Sequence, residues 1–372
     1  MVEKIVFGDI YRNKKVLVTG NTGFKGSWLC TWFISLGAEV YGISNEIPTK
    51  PSMFVELGLQ DKMTHFFADV RDLSTLNKIF NEIEPDFVFH LAAQPIVSLS
   101  YTQPVDTISA NVMGTTNVLE VLRNYSKPCT AIIITSDKCY DNVESIYGYK
   151  ETDHLGGKDI YSGSKGAAES IFHSYYCSFF SKPDCRQRVA SARAGNVIGG
   201  GDWAKDRIVV DCMKNWAEGI PVEIRSPDAT RPWQHVLEPL SGYLTLGVSL
   251  YNSPQFCGQS FNFGPRFEKS RTVLRLLQDL EKIWGFSDDR QAFTVTDNIP
   301  FHEAGLLKLN CEKALYKLNW EATLSYDDCV KFVGEWYVSF YKGKNNMHDV
   351  TYKQLAAYEE ASVRRGGVWS RG

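Results

Sequence analysis

Val16-Leu-Val-Thr-Gly20-Asn-Thr-Gly23-Phe-Lys-Gly26-Ser-Trp-Leu29 decides the fold. The first four residues form an apolar, β-branched strand pattern, three glycines follow at every third position, and an apolar helical pattern begins behind them. A strand that turns through such glycines into a helix aims backbone N–H groups and the positive end of the helix dipole at an anion. Glycine also permits the tight turn, the close approach of a pyrophosphate and the close packing of helix on strand. The stretch predicts a dinucleotide cradle formed by Gly20, Thr22, Gly23, Phe24 and Gly26.

Outward from the cradle, short β-branched runs at 16–19, 39–43, 65–69, 87–91 and 131–135 alternate with helical patterns. Further strands are expected at 189–193 and 260–263, and helices near 161–180 and 207–218. Such alternation marks βαβ units. It predicts an α/β protein, a Rossmann-type doubly wound parallel sheet of seven or more strands with a smaller C-terminal substrate-binding lobe. Residues 1–195 should form mainly the dinucleotide-binding domain and 196–341 mainly the smaller lobe, with the strand near 260–263 returning to the main sheet. From residue 342 the chain turns polar and reads as a partly ordered tail.

Composition narrows the function classes. Hydrophobic residues at 44% and charged residues at 22% over 372 residues are those of an ordinary globular protein, and exclude collagen-like and disordered chains. With 40 Lys and Arg against 43 Asp and Glu, the chain has no global basic field for nucleic acid or an anionic membrane, so an anionic ligand must meet local cations. No run approaches the roughly 18 apolar residues of a membrane span, and residues 1–15 lack the apolar middle of a signal peptide. A cytoplasmic location is expected. The nine cysteines are scattered with no Cys-x-x-Cys pair, so reduced thiols and no metal site are expected.

Two further features bear on the cofactor and the chemistry. The acidic residue that in Rossmann folds ends the second strand and binds a ribose is missing: Gly42-Ile-Ser44-Asn45 stands there and Glu46 comes slightly late. Arginine is missing there too, which favours NAD over NADP. Asp69 and Val70, after the third strand, could hold the adenine, or Asp69 could be a solvated loop residue. Tyr161-Ser-Gly-Ser-Lys165 puts a phenol and an ammonium at i and i+4 on one helix face. A neighbouring ammonium favours phenolate and lowers the tyrosine pKa, giving a base that takes a hydroxyl proton while hydride leaves the same carbon.

Together Gly20, Gly23, Gly26, His90-Leu91-Ala92-Ala93, Asn111, Tyr161 and Lys165 resemble an extended short-chain dehydrogenase/reductase over roughly residues 13 to 340. Within that superfamily, Asn21 to Trp28, Thr135-Ser-Asp-Lys-Cys-Tyr140, Asn196 to Trp203, Arg231-Pro-Trp-Gln-His-Val236 and His302-Glu-Ala-Gly-Leu-Leu-Lys308 are similar to the CDP-glucose 4,6-dehydratases. The resemblance implies NAD as cofactor, with Leu91, Ala92, Ala93 and Asn111 joining the cradle, and CDP-glucose as substrate. It also implies a place in dideoxy sugar synthesis for bacterial surface polysaccharide.

The resemblance further implies roles. Tyr161, helped by Lys165, takes the 4-hydroxyl proton as hydride moves to NAD; the 4-ketone acidifies the proton on carbon 5; water leaves across carbons 5 and 6; hydride returns to carbon 6. An epimerase needs only the base and the nicotinamide, whereas elimination also needs a proton acceptor and donor, which Asp137 and Lys138 can supply. Asp137 would donate to the departing 6-hydroxyl if burial raises its pKa, and Ser136 would polarise the 4-oxygen. Where other nucleotide sugar dehydratases carry glutamate, this chain has Lys138. Lys138 would either abstract the carbon 5 proton or stabilise the enolate.

Gln94, Asn196, Arg207, Arg231 and His302 fall in segments resembling the family's substrate-binding blocks, and arginine forks suit a pyrophosphate. Ala167, Ala168, Ile171, Phe172, Tyr175, Tyr176, Phe179 and Phe180 make a wide apolar stripe. It suggests a homodimer or homotetramer built on this helix and the one near Asn111, or a face covered by the smaller lobe. Competing functions are a nucleotide sugar 4-epimerase, a dehydratase of another nucleotide hexose, and a non-catalytic dinucleotide sensor.

Overall fold

The computed structural model describes residues 5–224, 226–265, 271–286, 292–296, 306–343 and 345–370. Among them seven strands form one wholly parallel sheet: β1 (Lys15–Thr19), β2 (Glu39–Ser44), β3 (Thr64–Phe67), β4 (Phe87–His90), β5 (Cys129–Ile134), β6 (Gln187–Ala194) and β7 (Ser260–Phe263), in the order β3-β2-β1-β4-β5-β6-β7. Each lies within two residues of its sequence-based expectation. Parallel strands are covered on both faces and so read as continuous apolar runs.

Alternation along the strands sorts the core into two layers. Val16 and Val18 of β1 join Trp28, Trp32 and Phe33 of helix α1 (Phe24–Ser35) on one face, while Leu17 turns to the other. That other face is closed by α2 (Leu73–Ile83), α3 (Gly114–Asn124) and α4 (Ile160–Tyr175). Asp72 starts α2 by accepting from Ser74 and Thr75 N–H, and Asp159 starts α4 by accepting from Ser162 N–H. The first face continues through α5 (Ile208–Ala217) and α6 (Leu237–Asn252). The smaller lobe adds the pairs Val222–Ile224 with Phe293–Val295 and Thr230–Arg231 with Arg271–Thr272, and packs α7 (Val273–Trp284) on α8 (Tyr326–Tyr341).

Two expectations change. The polar tail is instead a firm helix, α9 (Met347–Arg365), whose Leu355 and Tyr358 are buried. Beyond it Trp369 stacks on Phe7, ring centroids 4.9 Å apart. Only a narrow stripe of α9 is apolar, so composition alone hides it. The wide stripe on α4 is partly absorbed within the chain: Phe172 and Phe180 are buried beneath the sheet, and Ile171, Tyr175 and Tyr176 pack against that same layer.

The switch point of this strand order lies between β1 and β4, the place where open α/β sheets bind ligands beyond their carboxyl ends. Register fixes its walls, with Thr19 opposite both Ile43 and His90, and His90 opposite Ile133.

Candidate active site

The glycines of the cradle are sterically required. Gly20 has φ +75°, and a Cβ there would lie 2.8 Å from Ala92 N; a Cβ on Gly26 would lie 2.1 Å from Gly20 O. Gly23 begins α1 without a side-chain cap, so the first N–H groups of the helix face outward for an anion. Beneath the turn, Asn21 accepts from Ser44 Oγ at 2.9 Å and meets His65 Nδ1 at 3.1 Å. Thr22 N–H donates to Ser44 Oγ, and Thr22 Oγ1 donates to the Glu46 carbonyl at 2.6 Å. Ser44, at the position where a ribose-binding acid would stand, faces inward to hold the turn. Leu91 and Ala92 run beside the turn through N–H donation to Thr19 O and Thr19 Oγ1. This uncapped helix start, walled by backbone too close for any Cβ, fits the pyrophosphate of a dinucleotide.

Asp69 is ion-paired: both of its oxygens accept from Arg71, which holds its carboxyl below the usual range. Val70 is buried and gives its carbonyl to Asn117 Nδ2. Asn111 sits in one turn of π-helix, Ser109–Met113, a wide turn common at functional sites. Its Nδ2 donates to Ser164 Oγ on α4 at 2.9 Å, tying the cradle wall to the helix of Tyr161 and Lys165.

The reacting side chains converge at the carboxyl end of β5. Ser136 caps a short turn, Asp137–Cys139; its Oγ donates to Asp137 Oδ1 at 3.0 Å and accepts from Lys138 N–H at 3.2 Å, and its hydroxyl favours ionisation of the nearby Tyr161 phenol. Tyr161, Ser136 and Asp137 therefore lie in one cluster. Asp137 is 6% exposed, and desolvation raises its pKa despite the opposing Ser136 bond and the charges of Lys138 and Lys25. A raised pKa of this kind suits a proton donor. Lys138 is half-buried beside it.

The expected lowering of the Tyr161 pKa by Lys165 does not occur. Lys165 Nζ lies 5.9 Å from the phenol ring centroid, and burial pushes the phenol up to about 12 against the Ser136 bond and the Arg207 charge. Burial outweighs these favourable contacts because the phenolate loses its hydration. The same desolvation brings Lys165, 6% exposed, down to about 8. Sequence reasoning also passed over Lys25. Its ammonium feels Arg207, Asp137, Lys165 and Asp202, and desolvation with the Arg207 charge lowers it to about 8. A charge inside an apolar helix start was the available signal.

The substrate candidates divide. Gln94 shapes its own loop: its Nε2 donates to Ile96 O and Thr107 Oγ1, and its Oε1 accepts from Ile96 N–H. Asn196 is exposed, directly after Gly195, where a Cβ would lie 2.9 Å from Asp137 Oδ2. Arg207 is held by Asp202 at 2.7 Å, its charge reaching Tyr161 and Lys25. Arg231 lies in the Thr230–Arg231 strand, with Nη1 donating to Thr230 O. His302 lies outside the described residues. Among the described residues no group of three or more His, Cys, Asp or Glu could hold a metal ion, and no helix is long and apolar enough to cross a membrane.

Residues 17–333 match the family described as GDP-mannose 4,6 dehydratase. The chain belongs to that family. A CDP-glucose 4,6-dehydratase of Salmonella typhimurium is 42% identical over 359 residues, 96% of this chain and 99% of its own. A dTDP-glucose 4,6-dehydratase of Haemophilus influenzae is 24% identical over 343 residues, 87% of this chain and 97% of its own. Among solved structures, a UDP-glucuronic acid 4-epimerase of Bacillus cereus in complex with UDP-glucuronic acid and NAD superposes with TM-score 0.74 at 24% identity, covering 88% of this chain and 99% of that one. That likeness is one of fold.

Proposed function

We propose that the protein is an NAD-dependent hydro-lyase that converts CDP-D-glucose to CDP-4-keto-6-deoxy-D-glucose. The observation that carries this conclusion is the cluster of Tyr161, Ser136 and Asp137: a phenol whose ionised form can take a hydroxyl proton stands near a buried carboxyl that can give one. An epimerase has no use for the second group. The 42% identity to the Salmonella dehydratase supports the choice of cytidine nucleotide.

Gly20, Gly23 and Gly26 would hold the dinucleotide's pyrophosphate, with Leu91, Ala92, Ala93 and Asn111 along its path and Asp69 and Val70 at its adenine end. NAD bound there would supply the hydride acceptor for carbon 4 of the sugar and the hydride donor for carbon 6. Tyr161 takes the 4-hydroxyl proton, Ser136 holds the 4-oxygen, and Lys165 lends its positive charge. Asp137 protonates the leaving 6-hydroxyl, while Lys138 withdraws the carbon 5 proton or steadies the enolate it leaves. Asn196 and Arg207 would meet the sugar nucleotide. The product's chemistry suits dideoxy sugar synthesis for surface polysaccharide, in the cytoplasm. Tyr101, Val105, Ile108 and Met113 are exposed large apolar side chains around α4, which supports a homodimer or homotetramer there.

Incubation with CDP-, dTDP-, GDP- and UDP-hexoses, with absorbance detection of the alkaline 4-keto product, tests the assignment. CDP-glucose should yield the 4-ketone with no net reduced NAD. Formation of CDP-galactose instead would overturn it.

A further inference from the structure

The turn bearing Asp137 and Lys138 is tied at both ends to one buried ion pair that the reaction itself does not use. Glu169 stands eight residues after Tyr161 and four after Lys165, on the same face of α4. It is 2% exposed, and its partner Arg193, on β6, is 3% exposed; Arg193 Nη2 donates to Glu169 Oε2 at 2.7 Å. Glu169 Oε1 accepts from Thr135 Oγ1, the residue before Ser136. Arg193 Nη1 donates to the hydroxyl oxygen of Tyr140, the residue after Cys139, at 2.7 Å, and to Glu151 O at 3.2 Å. Ser191 and Ser260 complete the carboxylate's shell from β6 and β7 at 2.9 and 3.2 Å.

We propose that Glu169 and Arg193 are positioning residues that clamp the Thr135–Tyr140 segment to α4, and so set Asp137 and Lys138 at the right distance from Tyr161 and Lys165. Stability alone is a weak reason for such a pair, since desolvation offsets much of the attraction between buried charges. Geometry gives a stronger one. Hydride removal at carbon 4 depends on α4, elimination on the strand-end turn, and one sugar must meet both, so a displacement of the turn of about 1 Å can cost roughly 10²-fold in the step it serves.

The inference rests on Asp137 acting in elimination, and the test separates the two ideas. Thr135→Val removes one tie and Tyr140→Phe the other, while the ion pair stays intact. Each NAD-loaded variant is mixed with CDP-glucose, and the near-ultraviolet absorbance of bound reduced nicotinamide is followed beside 4-keto product release, with melting measured in parallel. Either variant should slow product release by about tenfold or more while hydride removal changes by less than about threefold, so that reduced nicotinamide accumulates. Thr135→Ser should restore the wild-type balance. Asp137→Asn serves as control. If it accumulates reduced nicotinamide and both tie variants keep the wild-type balance, even with lowered melting temperatures, the clamp is refuted. If Asp137→Asn itself accumulates none, the assignment of Asp137 fails first and the clamp with it.

Discussion

Replacing Tyr161 by phenylalanine deletes one hydroxyl from a buried ring and nothing else. Burial pushes that phenol up to about 12, so at pH 7 only about one molecule in 10⁵ carries phenolate. The base is the phenolate, because a neutral phenol has no place for a further proton, and the Ser136 hydroxyl and the Arg207 charge favour that form against burial. General base catalysis of this kind contributes about 10²–10⁴-fold, or about 3–5 kcal/mol at the transition state. Stability should change far less. Losing one polar contact of a buried hydroxyl costs about 1 kcal/mol, and Ser136 keeps its bond to Asp137. In a chain this large, about 1 kcal/mol moves Tm by no more than roughly 2–4 °C. The assay is therefore double: turnover of CDP-glucose, and thermal melting with and without NAD. The expected result is a loss in kcat of at least about a hundredfold, with Tm nearly unchanged and NAD still raising it. Turnover within about fivefold of wild type would remove Tyr161 from its role.

Asp137→Asn should leave oxidation at carbon 4 and stop elimination, seen as bound reduced nicotinamide without 4-keto-6-deoxy product; normal product formation would count against a donor there. Gly26→Ala puts a methyl 2.1 Å from Gly20 O, so NAD-dependent stabilisation should vanish and melting should fall by the equivalent of about 1–3 kcal/mol; an unchanged NAD titration would argue against the cradle. Glu238, fully buried and accepting from Thr323 N–H, Leu324 N–H and the Tyr358 hydroxyl, has a carboxyl raised to about 7. The folded state thus binds a proton that the unfolded chain releases near 4.3, and stability falls as pH rises from there to about 7, by up to about 3 kcal/mol. The stability advantage of wild type over Glu238→Gln should accordingly be larger at pH 5 than at pH 7; an equal difference at both would sink the assignment.

The sheet was readable because its strands are buried on both faces, so 87–91 and 131–135 appear as bare apolar runs that need no partner to be recognised. The cradle was readable for the opposite reason: glycine is the one residue that fits at Gly20 and Gly26, so a steric demand is written directly in the sequence. What stayed hidden depends on contacts between distant segments. Nothing local shows that Asp202 holds Arg207, that Gln94 serves its own loop, or that burial leaves Tyr161 protonated despite Lys165. α9 was missed because Leu355 and Tyr358 mark only a narrow apolar stripe until the rest of the chain supplies its counterpart.

Trp32, at the far end of α1, donates its indole N–H to Glu359 of α9 and meets Tyr358 and Trp369 edge to face. The helix whose first turn would receive the pyrophosphate is thus buttressed at its other end by α9. Cutting the protein at residue 342, where its character turns hydrophilic, would remove no reacting group, yet it would lay bare the tryptophan that steadies the cradle. Loss of dinucleotide affinity, ahead of any chemical defect, is the mark such a shortened enzyme should carry.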